Sequence, residues 1–368
     1  MNYKFTKNDT LTVKGVAIFF LLCYHCFSSV DRLYGAAVSF WPLSQEAAMA
    51  ISRCMIQCVG MFAFLSVYGL TLSLKKQYED YEFTGKQAAG FVVKRYLHLV
   101  FTFLIPYFFC FFVTYGLGYH RYNNGTWANI FSMLTDIFCV GRLTGGRMLI
   151  PTWWYLSLEV ILIVFLPFAV RFYKKYSWLT VLMVLVPGSF LIEKHSPLTM
   201  YLFTVPLAVC FADQHVFERL KAYEIVGNKV LNKVLKFLLS TVPLLVMCGL
   251  FDSVWGIEHF EFLLNGLIPV FVIYWVYEFI VDIPGLHQCL EFIGKHSGDI
   301  FYTHTFVRGL WWTDITYSFG QAWKIFLFVL LVSLAISVFY DVLRKLLRFN
   351  QITGRFTGFV LNWIEKTI

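Results

Sequence analysis

Charged residues are scarce in this 368-residue chain: Asp, Glu, Lys and Arg together make up only 14% of it. Soluble domains carry about 25% charged residues, so the deficit excludes an ordinary soluble domain. Hydrophobic residues instead make up 58% of the sequence and aromatic residues 20%, including 40 Phe. Repeated apolar runs of membrane-spanning length therefore predict an all-α polytopic membrane protein with about ten transmembrane helices.

A cysteine framework is also missing. The nine cysteines are odd in number and lie mostly inside apolar runs. Cys23 and Cys26 flank His25, but no second pair is present to complete a metal-binding set. We interpret the cysteines as small buried hydrophobic residues and predict neither a disulfide framework nor a metal site.

The sequence lacks a single basic patch, an internal repeat and a disordered linker. Its net charge is +8, but the basic residues are scattered among the predicted loops. This distribution excludes a nucleic-acid partner and is better explained by membrane topology. With both termini in the cytoplasm, the inner segments contain 22 of the 30 Lys and Arg residues, as the positive-inside rule predicts.

Ten spans are predicted, and the first is expected to be retained rather than removed as a signal peptide, because it carries an imidazole inside its apolar run. The predicted spans cover residues 11–29, 47–74, 95–117, 152–170, 177–192, 197–212, 235–251, 260–281, 297–312 and 321–343. A weaker apolar piece near 129–140 is too short to span and is predicted to be re-entrant or interfacial.

The chain is predicted to divide into a transmembrane domain, residues 1–346, and a cytoplasmic amphipathic tail, residues 347–368. Apolar residues recur in the tail at helical spacing; they are Phe356, Phe359, Val360, Trp363 and Ile364. This pattern predicts a helix that either lies on the inner membrane surface or packs on another subunit, so a homo-oligomer is possible.

The first span carries a cation and an imidazole, Lys14 and His25. Eleven residues make about three helical turns, so both side chains share one face and are separated by about 16 Å of rise. In a helix that begins at the cytoplasmic surface, this rise predicts that His25 lies near the membrane midplane. An ionisable residue there indicates a functional site, the alternative being a core histidine bonded to a neighbouring helix.

Further ionisable residues lie in two later spans: Glu159 in span four, and His304 with Arg308 in span nine. His304 and Arg308 share a helical face with Ser297 and Phe301. Because charged groups are costly against lipid, we expect this face to point into the helix bundle. Pairing of Glu159 with Arg308 would explain both charges without any catalytic role.

Five segments, in chain order, resemble the membrane acyltransferases of the acyltransferase-3 type; they are KGVAIFFLLCYH (14–25), FAFLSVYGLTLSLKK (62–76), FVVKRYLHLVFTFLIPYFF (91–109), PTWWYLSLEVILIVFLPF (151–168) and GKHSGDIFYTHTFV (294–307). The first matches the family's pattern of a basic residue, ten residues and a histidine. The third departs from the usual Arg-x-x-Arg, because Arg95 is followed by His98. The resemblance covers nearly the whole chain and implies acetylation of glycan or glycolipid hydroxyls from a cytoplasmic acyl-CoA, with no room here for the extra extracellular domain that some members carry.

The basic residues near the cytoplasmic side are consistent with acyl-CoA as the donor. Coenzyme A carries phosphates, which Lys14, Lys94 and Arg95 would meet at the inner mouth, although the positive-inside rule alone would also explain these cations. A neutral His25 would act as general base on the acceptor hydroxyl. Glu159 would orient the imidazolium or hold the acceptor.

At the acceptor side, Trp153 and Trp154 would stack on a sugar, the alternative being an aromatic belt at the membrane interface. His304 is a further catalytic candidate and Arg308 a candidate for substrate binding.

The predicted function is therefore that of an acyltransferase using acetyl-CoA in a multi-pass protein of the bacterial plasma membrane. It would transfer an acyl group to a glycan or lipid-linked sugar. A succinyl or longer-chain donor is a second possibility within the enzymes. A transporter or flippase for a lipid-linked sugar is the alternative from another class, because buried charges also mark substrate pathways.

Overall fold

The computed structural model describes residues 3–192 and 196–367, and these fold into seventeen α-helices. The helices are α1 (Lys7–Phe27), α2 (Gln45–Cys54), α3 (Cys58–Gln77), α4 (Gly85–Gly116), α5 (Thr126–Ile137), α6 (Gly141–Thr144), α7 (Trp154–Tyr176), α8 (Leu179–Leu191), α9 (Thr204–Gln214), α10 (Val216–Ala222), α11 (Lys229–Phe251), α12 (Val254–Phe279), α13 (Leu286–Lys295), α14 (Ser297–Phe306), α15 (Thr313–Ser318), α16 (Ala322–Leu346) and α17 (Phe349–Thr367). A π-helical turn, Val307–Trp311, follows α14. Within the described ranges the only β pairing is an isolated bridge between Ser39 and Gln321.

Seven of the described helical segments are long and apolar enough to cross a membrane, which confirms an all-α polytopic membrane protein. They are Lys7–Phe27, Gln45–Gln77, Gly85–Gly116, Pro151–Tyr176, Lys229–Phe251, Val254–Phe279 and Ala322–Leu346. The predicted spans at 177–192, 197–212 and 297–312 correspond to shorter helices, α8, α9 and α14 with its π turn. The total of ten spans and the cytoplasmic termini stay predictions. Residues 193–195, between the predicted spans at 177–192 and 197–212, lie outside the described residues.

The chain forms two compact units, which differ from the predicted division at residue 346. The first unit comprises residues 1–29, 43–81 and 168–297, and the second comprises residues 30–42, 82–167 and 298–368. Each unit is built from segments that are distant in sequence. The predicted boundary between a transmembrane domain and a cytoplasmic tail at residue 346 stays a prediction, because the two compact units do not test it.

In the first unit, α1 packs closely against α13 through two glycines. A Cβ atom on Gly15 would lie 2.2 Å from the carbonyl oxygen of Leu290, and one on Gly294 would lie 1.8 Å from that of Leu11. Glycine is therefore required at both positions, because any side chain would separate the two backbones. Beside this contact, Thr12 Oγ1 lies 2.8 Å from His287 Nδ1.

The second unit has an aromatic core around α4. Phe103 and Tyr107 of α4 pack against Trp153, at the start of α7, with ring centroids 4.7 and 5.9 Å away. Phe306 of α14 completes the cluster at 5.5 Å from Trp153. This core fixes the second unit's part of α7 and α14 against α4, and both helices carry predicted site residues.

The two weaker apolar segments are both helical, which confirms the helix predicted for the tail. The apolar piece near 129–140 forms α5, whose 12 residues rise about 18 Å, less than the roughly 30 Å of a bilayer core. The amphipathic tail forms α17. Their predicted positions at a membrane surface stay predictions.

Candidate active site

Helix α1 carries Lys14 and His25, and the structure begins it earlier than predicted. Thr6 is the N-cap: its Oγ1 accepts a hydrogen bond from Asp9 N at 3.2 Å, while Asp9 Oδ2 accepts one from Thr6 N at 2.7 Å. This reciprocal pair satisfies two of the free N–H groups of the first turn. Both predicted site residues lie on this single helix, which keeps the rise of about 16 Å between them.

His25 lies in the last turn of α1, because the helix ends at Phe27. About 27 Å of helical rise separate it from Lys7, so it lies near the far end of the helix rather than near its centre. Its ring is half-buried and meets the edge of Tyr24 at a centroid distance of 5.1 Å. A half-buried imidazole at a helix end can be reached by a ligand, as a general base must be.

Lys94 and Arg95 line a cavity of about 580 Å³ in the second unit, together with His98. Lys94 is exposed, whereas Arg95 is half-buried with its guanidinium 5.2 Å from the centroid of the Phe91 ring. Phe101 of α4 and Phe349 of α17 add apolar surface to the lining. Cations beside aromatic rings suit a ligand that has both a phosphate and a flat ring.

Arg344 also lines this cavity, but an acidic partner holds it. Its two terminal nitrogens donate to the two carboxylate oxygens of Asp299, each at 2.7 Å. Ser337 donates to the same carboxylate at 3.1 Å, and Arg344 reaches Thr102 O on α4 at 3.1 Å. The pair therefore joins α14 to α16 and α4, and it fixes the helix that carries His304.

His304 is fully buried in α14, and its ring nitrogens face groups of its own helix. Nδ1 lies 2.9 Å from Phe301 O and 3.2 Å from Ile300 O, so Nδ1 carries the proton, and Nε2 accepts from Thr305 Oγ1 at 3.0 Å. These contacts favour a structural role for His304. Its predicted catalytic role is not supported by them and stays a prediction.

Arg308 lies in the π turn, which changes the register of the helical face after Phe306. It is buried, as predicted for a charge at membrane depth, and so is His304. One guanidinium nitrogen donates to Tyr317 Oη at 3.2 Å and reaches Arg32 O at 3.5 Å, while the ring of Tyr34 lies 5.4 Å from the guanidinium carbon. π turns are frequent at functional sites.

The two predicted sugar-stacking tryptophans have different environments: Trp153 directly precedes α7, and Trp154 is the first residue of that helix. Trp153 is only 2% exposed, and its indole N–H donates to Tyr302 O at 3.2 Å. This burial does not fit the predicted sugar contact, because the ring is enclosed in the aromatic core. Trp154 is half-buried, and its predicted contact with a sugar stays open.

Glu159 is half-buried on α7 and accepts a hydrogen bond from Tyr155 Oη at 3.0 Å, one helical turn away. Tyr155 in turn packs edge-on against Phe301 of α14 at 5.5 Å. Glu159 is therefore linked to the helix of His304 through one aromatic ring. The predicted pairing of Glu159 with Arg308 stays a prediction.

Sequence reasoning missed the ion pair of Asp299 with Arg344. The signal was present, because Asp299 is an acidic residue inside a predicted span, where a carboxylate requires a partner. Sequence reasoning also missed that α17 contributes to the cavity around Arg95. That contact joins residues about 260 positions apart, and no local pattern encodes it.

Comparison with protein families decides the assignment. The acyltransferase-3 family model, described as an acyltransferase domain, matches residues 12–342. This chain belongs to the acyltransferase-3 family. Comparison with curated proteins and with solved structures gave no match.

Membership in the acyltransferase-3 family, together with the membrane-spanning helices, makes this protein a multi-pass membrane acyltransferase. The matched region includes every predicted site residue, from Lys14 to Arg308. It ends before α17, so the acyltransferase-3 domain stops short of a helix that lines the basic cavity.

Proposed function

We propose that this acyltransferase moves an acyl group, most favourably acetyl, from cytoplasmic acyl-CoA to a hydroxyl of a cell-surface glycan or lipid-linked sugar at the bacterial plasma membrane. The observation that carries the proposal is the cavity lined by Lys94, Arg95 and His98 together with Phe101. Coenzyme A combines phosphates with an adenine ring, and this lining offers partners for both.

The acceptor side is supported by the chemistry around Arg308. A buried guanidinium beside the ring of Tyr34 and the hydroxyl of Tyr317 combines charge, apolar surface and hydrogen bonding. Sugars present hydroxyls and apolar ring faces, and cell-surface glycans and lipid-linked sugars often add negative charge. We assign Arg308 and Trp154 to acceptor binding on this ground.

In the transfer step, the neutral imidazole of His25 takes the proton from the acceptor hydroxyl as its oxygen attacks the thioester carbonyl. The new carbon–oxygen bond forms, and the carbon–sulfur bond breaks. The imidazolium then returns the proton to the departing coenzyme A thiolate. Lys94 and Arg95 hold the phosphates of the donor. The donor contact of Lys14, and the role of Glu159 in orienting the imidazolium or holding the acceptor, stay predictions.

The test is turnover of labelled acetyl-CoA by the purified full-length protein in proteoliposomes that contain lipid-linked sugars. We expect release of free thiol, and label in the sugar fraction only when the donor is supplied to the cytoplasmic face. Movement of a lipid-linked sugar across the bilayer without binding or turnover of acetyl-CoA would overturn the proposal in favour of a transporter.

A further inference from the structure

The last helix, α17, forms much of the wall of the basic cavity. Seven of the thirteen residues that line the cavity belong to α17, although the family match ends at residue 342. The cavity is therefore shared between the acyltransferase domain, which supplies Lys94 and Arg95, and a helix that lies outside it.

One face of α17 is made of small polar residues and glycine. Thr353 and Thr357 are one turn apart, and so are Gly354 and Gly358, and all four line the cavity. A Cβ atom built on Gly354 or Gly358 would have no neighbouring atom within 4 Å. These glycines therefore keep open a space that ordinary side chains would fill without any clash.

The opposite face of α17 is exposed and apolar. It carries Ile352, Phe356, Phe359 and Trp363, all of which are exposed. Near the end of the helix, Lys86 Nζ donates to Glu365 O, and Phe356 packs edge-on against Phe101 at 5.7 Å. These contacts hold α17 against α4 with its small face towards the cavity.

The charge of the cavity is one-sided. Lys94, Arg95 and His98 lie on α4, and no carboxylate is among the residues that line the cavity. Helix α17 adds the side-chain amide of Asn350, which can donate hydrogen bonds. It also adds the neutral hydroxyls of Thr353 and Thr357, which donate to Phe349 O and Thr353 O of the same helix at 2.9 and 2.8 Å, so α17 brings no negative charge. A wall of this composition suits a phosphate group, which needs donors and would be repelled by Asp or Glu.

We propose that α17 is the closing wall of a nucleotide-phosphate pocket, and that Gly354 and Gly358 give the phosphate-bearing end of the acyl donor room to bind. The proposal rests on the proposed function for the identity of the donor as an acyl-CoA. A lipid headgroup offers the same phosphate chemistry, and the experiment below separates the two sources.

The decisive variants are Gly354→Leu and Gly358→Leu. Leucine favours a helix more than glycine does, so these variants should fold at least as well as the native protein. The added side chains narrow the cavity, and we expect the affinity for coenzyme A and for adenosine 3′,5′-bisphosphate to fall about tenfold or more. Gly90→Leu is the matched control, because a Cβ atom there also meets nothing within 4 Å and Gly90 does not line the cavity.

Binding is measured by calorimetry on the full-length protein in detergent, with Arg95→Ala as a reference for lost donor binding. If the native protein binds no coenzyme A at all, the proposed function itself fails. If the native protein binds it and Arg95→Ala weakens binding, but both glycine variants bind normally, the assignment of α17 is wrong.

The lipid source is tested with nanodiscs that contain phosphatidylglycerol or only phosphatidylcholine. For a nucleotide pocket, we expect the affinity for adenosine 3′,5′-bisphosphate to be the same in both. The nucleotide assignment would be overturned by two results together. Phosphatidylglycerol would compete with the nucleotide in the native protein but not in Gly354→Leu, and Gly354→Leu would keep the native affinity for the nucleotide.

Discussion

The two units of this acyltransferase hold their charges in different ways. In the first unit, cations lie beside carboxylates: Lys236 Nζ is 3.2 Å from Glu278, Lys221 Nζ is 3.0 Å from Asp282, and Lys75 Nζ is 2.8 Å from Asp213. In the second unit, Arg344 has such a partner in Asp299. The contacts described above for Arg95 and Arg308 there are instead with rings, a hydroxyl and a carbonyl oxygen.

The described contacts separate cations that join helices through carboxylates from cations that line the cavity of the second unit. An ion pair cancels most of the field of each partner, so a paired cation acts mainly on the protein itself, whereas a cation that lines a cavity can also act on a ligand. We therefore expect substitutions of paired cations in the first unit to lower stability. We expect substitutions of the cavity cations in the second unit to lower ligand affinity.

His25 is expected to be an exception in the first unit, because its proposed role is catalytic. His25→Ala should lower the rate of acyl transfer by about 10²–10⁴, since the acceptor hydroxyl loses its general base. Expression and thermal stability should stay close to those of the native protein. His259→Ala is the control, because His259 is an exposed histidine of the same unit; full activity in a well-folded His25→Ala protein would exclude His25 as the base.

Removal of one partner of a buried pair should have the next largest effect. Lys236 and Glu278 are 5% and 9% exposed at their side chains. Lys236→Ala should lower the free energy of unfolding by about 3–5 kcal/mol, because Glu278 would be left buried and unpaired. The exposed pair of Arg53 with Asp252 provides the contrast, and Arg53→Ala should cost no more than about 1 kcal/mol.

The double variant Lys236→Met with Glu278→Leu sharpens that prediction. It removes both charges together, so its melting temperature in detergent should lie well above that of Lys236→Ala. A double variant as unstable as the single one would show that the packing of the lysine chain, rather than the unpaired carboxylate, determines stability.

A buried acid in the second unit should make stability depend on pH. Asp136, which lies outside the candidate spans, accepts from Tyr122 Oη at 2.6 Å and from Leu149 N at 2.7 Å. Burial raises its pKa from 3.8 to about 6, although both hydrogen bonds act to lower it. Because the folded pKa is raised, the stabilising contribution is complete below pH 3.8 and is lost as the pH rises through 6, by about 3 kcal/mol in total.

Asp136→Asn should remove this dependence, which melting curves between pH 4 and pH 8 would measure. Asp314→Asn is the matched control, because Asp314 is an exposed acid of the same unit. An unchanged pH profile in Asp136→Asn would show that the two hydrogen bonds keep Asp136 ionised throughout.

Arg95→Ala should have the smallest of these effects, a loss of about tenfold in affinity for coenzyme A with unchanged melting temperature. The difference between variant and native protein should shrink at high salt, because salt screens phosphate contacts. Titrations at two salt concentrations measure it. A stability loss as large as that of Lys236→Ala would place Arg95 among the structural cations and remove the distinction between the units.

The sequence predicts those features that depend on neighbours along the chain. Helical class, the shared face of Lys14 and His25 and the helical tail follow from composition and period. The piece near 129–140 is too short to span a membrane, which follows from its length. The burial of His304 and Arg308 also follows, because lipid exposure would be too costly.

Features that depend on distant neighbours were not predictable in this way. The π turn that contains Arg308 contacts α4 through Trp311, whose indole N–H donates to Thr114 Oγ1. Tryptophan is typical of the membrane interface, yet residues of α4 and α14 enclose Trp153. The contact of α17 with the cavity likewise arises only when both ends of the second unit's sequence fold together.

The glycine contact between α1 and α13 has a consequence for motion. Side chains can change rotamer and let packed helices slide, but the carbonyl groups at Leu11 and Leu290 approach the opposite backbone directly at Gly294 and Gly15. Sliding or rotation of either helix would therefore either separate the two backbones or make them collide. The two helices therefore move as one body, and His25 travels with α13 in any conformational change of the catalytic cycle.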